Sequence, residues 1–202
     1  SLTVTSGSVT ALLGPNGSGK STVLGMGAGW LRPGSGVVHR QGGVAFLPQT
    51  ERLAFGFTCL EYVLFGRAPH LPYLGLPGYE DADKAMAALQ AVGMDHKSGR
   101  RITALSGGEL QLVRLARALA QDASWVLLDE PTDMLDPAHI AAVGVTIRRL
   151  VAGGVGVMLS THDIGFALST ADSAVLMRDG RVQACGRTAE ICTCVEIGRA
   201  HV

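Results

Sequence analysis

The stretch Gly14-Pro15-Asn16-Gly17-Ser18-Gly19-Lys20-Ser21 decides the fold. It fits the pattern G-x-x-x-x-G-K-[ST] at every fixed position. The glycines let the backbone wrap so that successive N–H groups face phosphate oxygens. A helix beginning at Lys20 adds the partial positive charge of its N-terminus. In this pattern Lys20 reaches the β- and γ-phosphates, and the Ser21 hydroxyl, followed by Thr22, ligates magnesium. The apolar run Val9 to Leu13 reads as a buried strand feeding the loop, so the order is strand, loop, helix. Lysine is scarce, with only Lys20, Lys84 and Lys97 in the chain, so the match does not come from a lysine-rich composition.

Outward from the loop, the first helix is weak by propensity, because Gly25, Gly27 and Gly29 each cost about 1 kcal/mol relative to alanine. It is expected to run to Arg32-Pro33-Gly34. Val44 to Leu47, Trp125 to Leu128, Val155 to Leu159 and Ala174 to Met177 read as further strands. Cys59 to Phe65, Asp81 to Val92, Glu109 to Ala120 and Ile140 to Leu150 read as helices. Ala85, Met86, Leu89 and Val92 are the apolar side of the second of these. Ser98 to Leu105 reads as loop. Strands alternating with helices predict an α/β fold with a parallel sheet covered on both faces. The mostly helical stretch from about 57 to 119 reads as an insertion.

Two further segments carry chemistry. Val126-Leu127-Leu128-Asp129-Glu130 is an apolar strand ending in two carboxylates, and a parallel strand delivers its last residues to the ligand edge of the sheet. Asp129 is placed to hold magnesium, and Glu130 to polarise an attacking water. Leu105-Ser106-Gly107-Gly108-Glu109 precedes a strong helix. Ser106 and Glu109 form an S-x-x-E capping box, which is sufficient local chemistry in itself. The same helix end, with two glycines, also admits a phosphate close to the backbone. One nucleotide does not need two such helix ends in one chain, whereas a head-to-tail dimer does.

Composition narrows the alternatives. Of 202 residues 47% are hydrophobic, which allows a sizeable core, and the formal net charge of zero argues against a nucleic-acid footprint. No apolar run approaches the roughly 18–20 residues that span a bilayer, so the chain reads as soluble. Cys59, Cys185, Cys192 and Cys194 form no CxxC pair and read as free thiols in a reducing compartment. The last seven residues, Glu196 to Val202, are what GAG ATC GGA AGA GCA CAC GTC encodes, a match to a common sequencing adaptor. The segment 196–202 is therefore expected to be non-native.

LSGGE followed by LQLVRLARAL resembles the signature of the nucleotide-binding domains of ABC transporters. The order GPNGSGKST, LPQ, LSGGE, VLLDEP, STHD resembles that family from about Val9 to Thr193, giving a domain over 1–195. The resemblance implies a P-loop NTPase core with an inserted helical subdomain and, since the chain starts so close to its first motif, an antiparallel β-subdomain partly missing. It implies ATP and Mg2+ as ligands. Gln49 corresponds to the glutamine that contacts magnesium and water, Asp136 to the aspartate that communicates across a dimer, and His162 to the histidine that touches the γ-phosphate. Each site would take Lys20, Ser21, Gln49, Asp129, Glu130 and His162 from one chain, and Ser106, Gly107 and Gly108 from the other. Implied partners are a second such domain, transmembrane permease subunits and, indirectly, a solute-binding protein, at the cytoplasmic face of a membrane. Tyr62 to His70, YVLFGRAPH, resembles the importers of ferric siderophores, haem and cobalamin, and zinc and manganese importers share some of it. A soluble ABC ATPase of iron–sulfur cluster assembly and an ATP-binding module without turnover are the other readings.

Overall fold

The computed structural model describes residues 2–51 and 56–199, with side chains through Thr193. The side chains of the segment 196–202 lie outside the described residues. The described chain forms two compact units: one takes the residues up to Gln49, Ser124–Pro131 and those from Ile147 onward; the other takes Thr50–Ala123 and Thr132–Thr146.

The first unit is built on a six-stranded sheet. In chain order its strands are β1 (Val9–Leu13), β2 (Val44–Leu47), β3 (Trp125–Asp129), β4 (Gly156–Ser160), β5 (Ser173–Arg178) and β6 (Arg181–Arg187). The spatial order is β2-β3-β4-β1-β5-β6. All neighbours are parallel except β5 and β6, which pair antiparallel. Every residue of β1 and of β4 is buried, as expected of strands covered on both faces. Leu12, Leu127, Met158, Val175 and Met177 form one buried cluster with Leu24, which comes from helix α1 (Lys20–Ala28).

The first helix ends earlier than its sequence predicts. It stops at Ala28 because Gly29 takes the left-handed conformation (φ 82°) and its N–H, with that of Trp30, closes on the Gly25 carbonyl. The other two glycines serve packing: a Cβ at Gly27 would meet Leu127, and one at Gly25 would meet Leu31. The helix is thus held by contact with the sheet rather than by propensity.

The second unit is helical. Helix α2 (Cys59–Leu64) opens with a capping box between Thr58 and Glu61, then tightens into a 3-10 turn over Phe65–His70. Helix α3 (Tyr79–Ala91) buries Ala85, Ala88 and Leu89, with Met86 only half-buried. A short 3-10 turn at Asp95–Lys97 follows, a second at Ile102–Ala104 stands where loop is expected, and helix α4 (Gly107–Leu119) comes next. Helix α5 (Pro137–Ala152) begins in this unit. The GRAPH segment fastens these helices to one another. Buried Arg67 donates to Asp81 Oδ1 at 3.0 Å and to the Ala120 carbonyl at 2.8 Å, and the His70 ring lies 2.6 Å from the Gln121 carbonyl.

Three elements are not foreseen from sequence: α6 (Ile164–Thr170), β6 and α7 (Thr188–Arg199). Asp163 caps α6 through the Phe166 N–H at 3.0 Å.

Gly66 is a close-packing position, since a Cβ there would lie 2.3 Å from the Arg117 carbonyl oxygen of α4. Gly66→Ala is expected to destabilise the protein by about 1–3 kcal/mol, the cost of overpacking, read as a lower denaturant midpoint.

Candidate functional site

The parallel register brings the carboxyl ends of four strands to one edge. Leu12 lies opposite Ser160, Asp129 opposite Ser160, and Leu47 opposite Leu128. The residues that follow are therefore delivered to that edge: Gly14 after β1, Gln49 after β2, Glu130 after β3 and His162 after β4.

The glycine-rich turn links β1 to α1. Gly14, Gly17 and Gly19 all have positive φ, of 147°, 80° and 97°. At Gly14 a side chain has no room, because a Cβ would stand 2.2 Å from the Met177 carbonyl oxygen and 2.9 Å from Ser18 Oγ. Pro15, Asn16 and Gly17 are exposed, as are Ser21 and Thr22 in the first turn of the helix. Lys20 is buried, and its ammonium donates back into the loop, to the Gly14 carbonyl at 2.9 Å and the Pro15 carbonyl at 3.2 Å. Ser18 Oγ is buried without a hydrogen-bond partner among the described residues. A buried hydroxyl left unmatched costs free energy, so a loop built this way fits an oxygen-rich ligand that would complete its bonding.

Asp129 and Glu130 are 4% and 5% exposed, which excludes a solvated strand end. Ser160 holds both of them. Its hydroxyl donates to Asp129 Oδ1 at 2.6 Å and accepts the Glu130 N–H at 2.9 Å. Glu130 is left-handed (φ 49°), a conformation that costs a non-glycine residue free energy and is concentrated at functional sites. Its carboxylate lies 4.0 Å from the Lys20 ammonium and 3.0 Å from His162 Nδ1. The His162 side chain is 68% exposed, so the ring closes the group on its solvent side. Gln49 is exposed two residues beyond β2. The oxygens of Ser21, Asp129 and Gln49 are the hard donors that magnesium prefers.

Ser160 escaped the sequence reading. The available signal was its place in Leu159-Ser160-Thr161-His162, directly before the histidine, but serine at a strand end has no specific pattern of its own.

Ser106, Gly107, Gly108 and Asp136 belong to the helical unit. Ser106 caps α4 as expected: its hydroxyl accepts the Glu109 N–H at 3.3 Å, and the Glu109 carboxylate accepts the Ser106 N–H at 2.9 Å. Lys97 pairs with the other Glu109 oxygen, and this ion pair, with the cap, holds the carboxyl down at about 2. Gly107 and Gly108 are bordered by Met134 and Leu135, whose atoms a Cβ at either position would contact at 3.4–3.5 Å. Asp136 precedes Pro137 at the start of α5 and accepts the His139 N–H at 3.0 Å, which lowers its carboxyl from the ordinary value.

A glycine-rich cradle with a buried lysine, two buried carboxylates and a histidine, all at the carboxyl edge of a parallel sheet, defines a P-loop nucleotide-binding domain. The particular class follows from the comparisons. The profile of the ABC transporter family matches residues 1–133. A hemin import ATP-binding protein from Nocardia farcinica is 41% identical over 197 residues, covering 91% of this chain and 67% of that protein. Another, from Burkholderia pseudomallei, is 37% identical and covers 100% of this chain and 85% of its own length. Among solved structures, a metal-chelate type ABC transporter in an inward-facing conformation superposes with a TM-score of 0.85 at 34% identity, covering 92% of this chain and 75% of that one. A dimeric bacterial ABC transporter cassette gives 0.84 at 26% identity, covering 93% and 88%, and was also solved after hydrolysis with ADP and Pi bound. The chain belongs to the ABC transporter family, as an ATP-binding domain that hydrolyses ATP.

Ser160→Ala is expected to cost about 1–3 kcal/mol, because it strands two buried partners at once. Chemical denaturation measures the loss, and a turnover rate that falls at unchanged ATP affinity marks the displaced carboxylates. The Glu109 carboxyl is depressed, so the stability it contributes is complete above its ordinary value of 4.5 and is lost as pH falls toward about 2. Lys97→Met should flatten that acid limb in a pH series of unfolding midpoints.

Proposed function

We propose that this chain is the energising subunit of an importer for haem or a closely related metal chelate, acting as a pair of copies bound to membrane permease subunits. The observation that supports this best is the shared identity of 37–41% with hemin import ATP-binding proteins from several bacteria. The TM-score of 0.85 with a metal-chelate type transporter agrees with it. Siderophore, cobalamin, zinc and manganese cargoes are less favoured, because the relatives named are hemin importers. Among the described residues no helix is long and apolar enough to cross a membrane. The pair would sit at the cytoplasmic face, with a solute-binding protein acting on the permease from the other side.

In this reading the N–H groups of residues 14–19 and the Lys20 ammonium bind the ATP phosphates, with Ser21 and Thr22 at the helix start. Ser21, Asp129 and Gln49 hold a magnesium ion, which when bound neutralises phosphate charge. Glu130 accepts a proton from the attacking water, and His162 orients Glu130 and faces the γ-phosphate. Ser106, Gly107 and Gly108 of a second copy offer the α4 N-terminus to the same phosphate, and Asp136 lies at the seam between copies. The free energy of hydrolysis then opens the pair, and the helical unit passes that movement to the permease.

Glu130→Gln removes the proton acceptor but keeps the shape. It should slow hydrolysis by roughly 10²–10⁴-fold with nucleotide binding retained. Light scattering of this variant should show monomers becoming dimers on addition of Mg-ATP. Parental turnover in Glu130→Gln, or a monomer at saturating Mg-ATP, would overturn the reading.

A further inference from the structure

Glu51, half-buried and outside every recognised motif, gathers an unusual number of polar contacts. Its carboxylate accepts the Tyr62 hydroxyl at 2.6 Å from α2. Both of its oxygens lie 2.9 Å from the Arg117 guanidinium of α4, one to each terminal nitrogen. Arg114, one helical turn earlier on the same face of α4, approaches it at 3.6 Å. The Arg117 guanidinium also stands 5.0 Å from the centre of the Tyr62 ring, within cation–π range. Arg114 extends the chain of contacts toward the helix start through Gln111 Oε1 at 2.8 Å. The pairs are sheltered, with side-chain exposures of 22% for Glu51, 21% for Arg117 and 10% for Arg114.

The position of this knot in the chain gives it a use. Gln49 precedes Glu51 by two residues, which span at most about 7 Å of extended backbone. Arg114 and Arg117 stand on the helix whose first turn is Gly107-Gly108-Glu109. A helix moves as a rigid rod, so displacement of its N-terminus is transmitted to Arg114 and Arg117. A bidentate carboxylate–guanidinium pair is directional and resists both rotation and sliding. Tyr62 adds a third strut, and its hydroxyl is raised from its ordinary value by burial and by the bond to Glu51, so it remains a donor.

We propose that Glu51 is a positioning residue for ATP hydrolysis. Through Arg117 and Arg114 it ties the segment that carries Gln49 to the helix that carries Ser106, Gly107 and Gly108. Movement at that helix start is thereby delivered to Gln49, which rests on the role given to Gln49 above. Glu51 touches neither nucleotide nor water in this scheme.

The test is a double-mutant cycle in the full chain with Glu51→Ala, Arg117→Ala and the double variant, with Gln49→Ala beside it. Glu51→Ala and Arg117→Ala should each lower kcat by roughly 10–10²-fold, the scale of a small misplacement at a reacting centre, with KM for ATP nearly unchanged. The double variant should be no slower than the worse single one, because both remove the same link. In Glu51→Ala, Mg-ATP should still slow amide exchange over residues 14–21 but no longer over 44–49. Glu51→Gln keeps an acceptor for Tyr62 and loses the charge, and it carries the test if Glu51→Ala does not fold. Parental kcat, additive losses, or a kcat that falls only in step with the unfolding midpoint would overturn the proposal. A Gln49→Ala variant of parental activity would instead remove the role of Gln49, while the cycle still decides whether Glu51 and Arg117 act as one unit in turnover.

Discussion

A parallel strand delivers its last side chains to one edge, so the register between strands determines which residues can meet there. In this sheet β1, β3 and β4 run in step, with Leu12 and Asp129 both opposite Ser160. A slip of one residue in β4 would carry Ser160 to the opposite face and leave the Asp129 carboxylate and the Glu130 N–H without their common partner. The full burial of β1 and β4 makes such a slip costly, since it would exchange side chains of different size between two faces that are both filled. Packing therefore sets the geometry, and the polar site is a consequence of it.

The electrostatics of the edge depend on that burial. Lys20, Asp129 and Glu130 are each less than a tenth exposed. Removing one partner from such a group leaves an uncompensated buried charge, which costs far more than a surface pair contributes. The lysine lies over two loop carbonyls and near Glu130 rather than extended into solvent. Glu130 accepts a left-handed backbone so that its N–H can reach Ser160 while its carboxylate faces His162. Strain at one residue is thus balanced by two hydrogen bonds, and Glu130 is held by the same hydroxyl that holds Asp129.

Most of the core was legible in the sequence, because buried strands and a glycine-rich phosphate loop have distinctive periods and residue types. Val9–Leu13 and Val44–Leu47 emerge with their expected ends. What escaped had weak local signals. Arg181–Arg187 alternates exposed and half-buried residues at the sheet edge, without an apolar run. Ile164–Thr170 has only seven residues and depends on its Asp163 cap. From sequence alone α1 reads too long, because Arg32-Pro33-Gly34 looks like the stronger stop, whereas Gly29 closes the helix first through its left-handed conformation. Of the candidate site, Gly14 to Ser21 could be found by spacing, whereas Gln49, Asp136 and His162 came only through the family resemblance. Ser160 could be found by neither, because its role comes from the register between two strands far apart in sequence.

The Ser106-Gly107-Gly108-Glu109 turn shows why structural and functional readings of one motif need not compete. The capping box uses the Glu109 N–H and the Ser106 N–H, and the Lys97 pair keeps the Glu109 carboxylate ionised well into acid. Other N–H groups of the first turn, including those of the two glycines, are not consumed by that box. Ser106 and Gly107 are exposed, so a phosphate of another molecule can reach them without displacing a side chain. The cap gives the helix end a fixed direction in the absence of any ligand. A phosphate bound there as proposed would meet an arrangement already formed and need not order it.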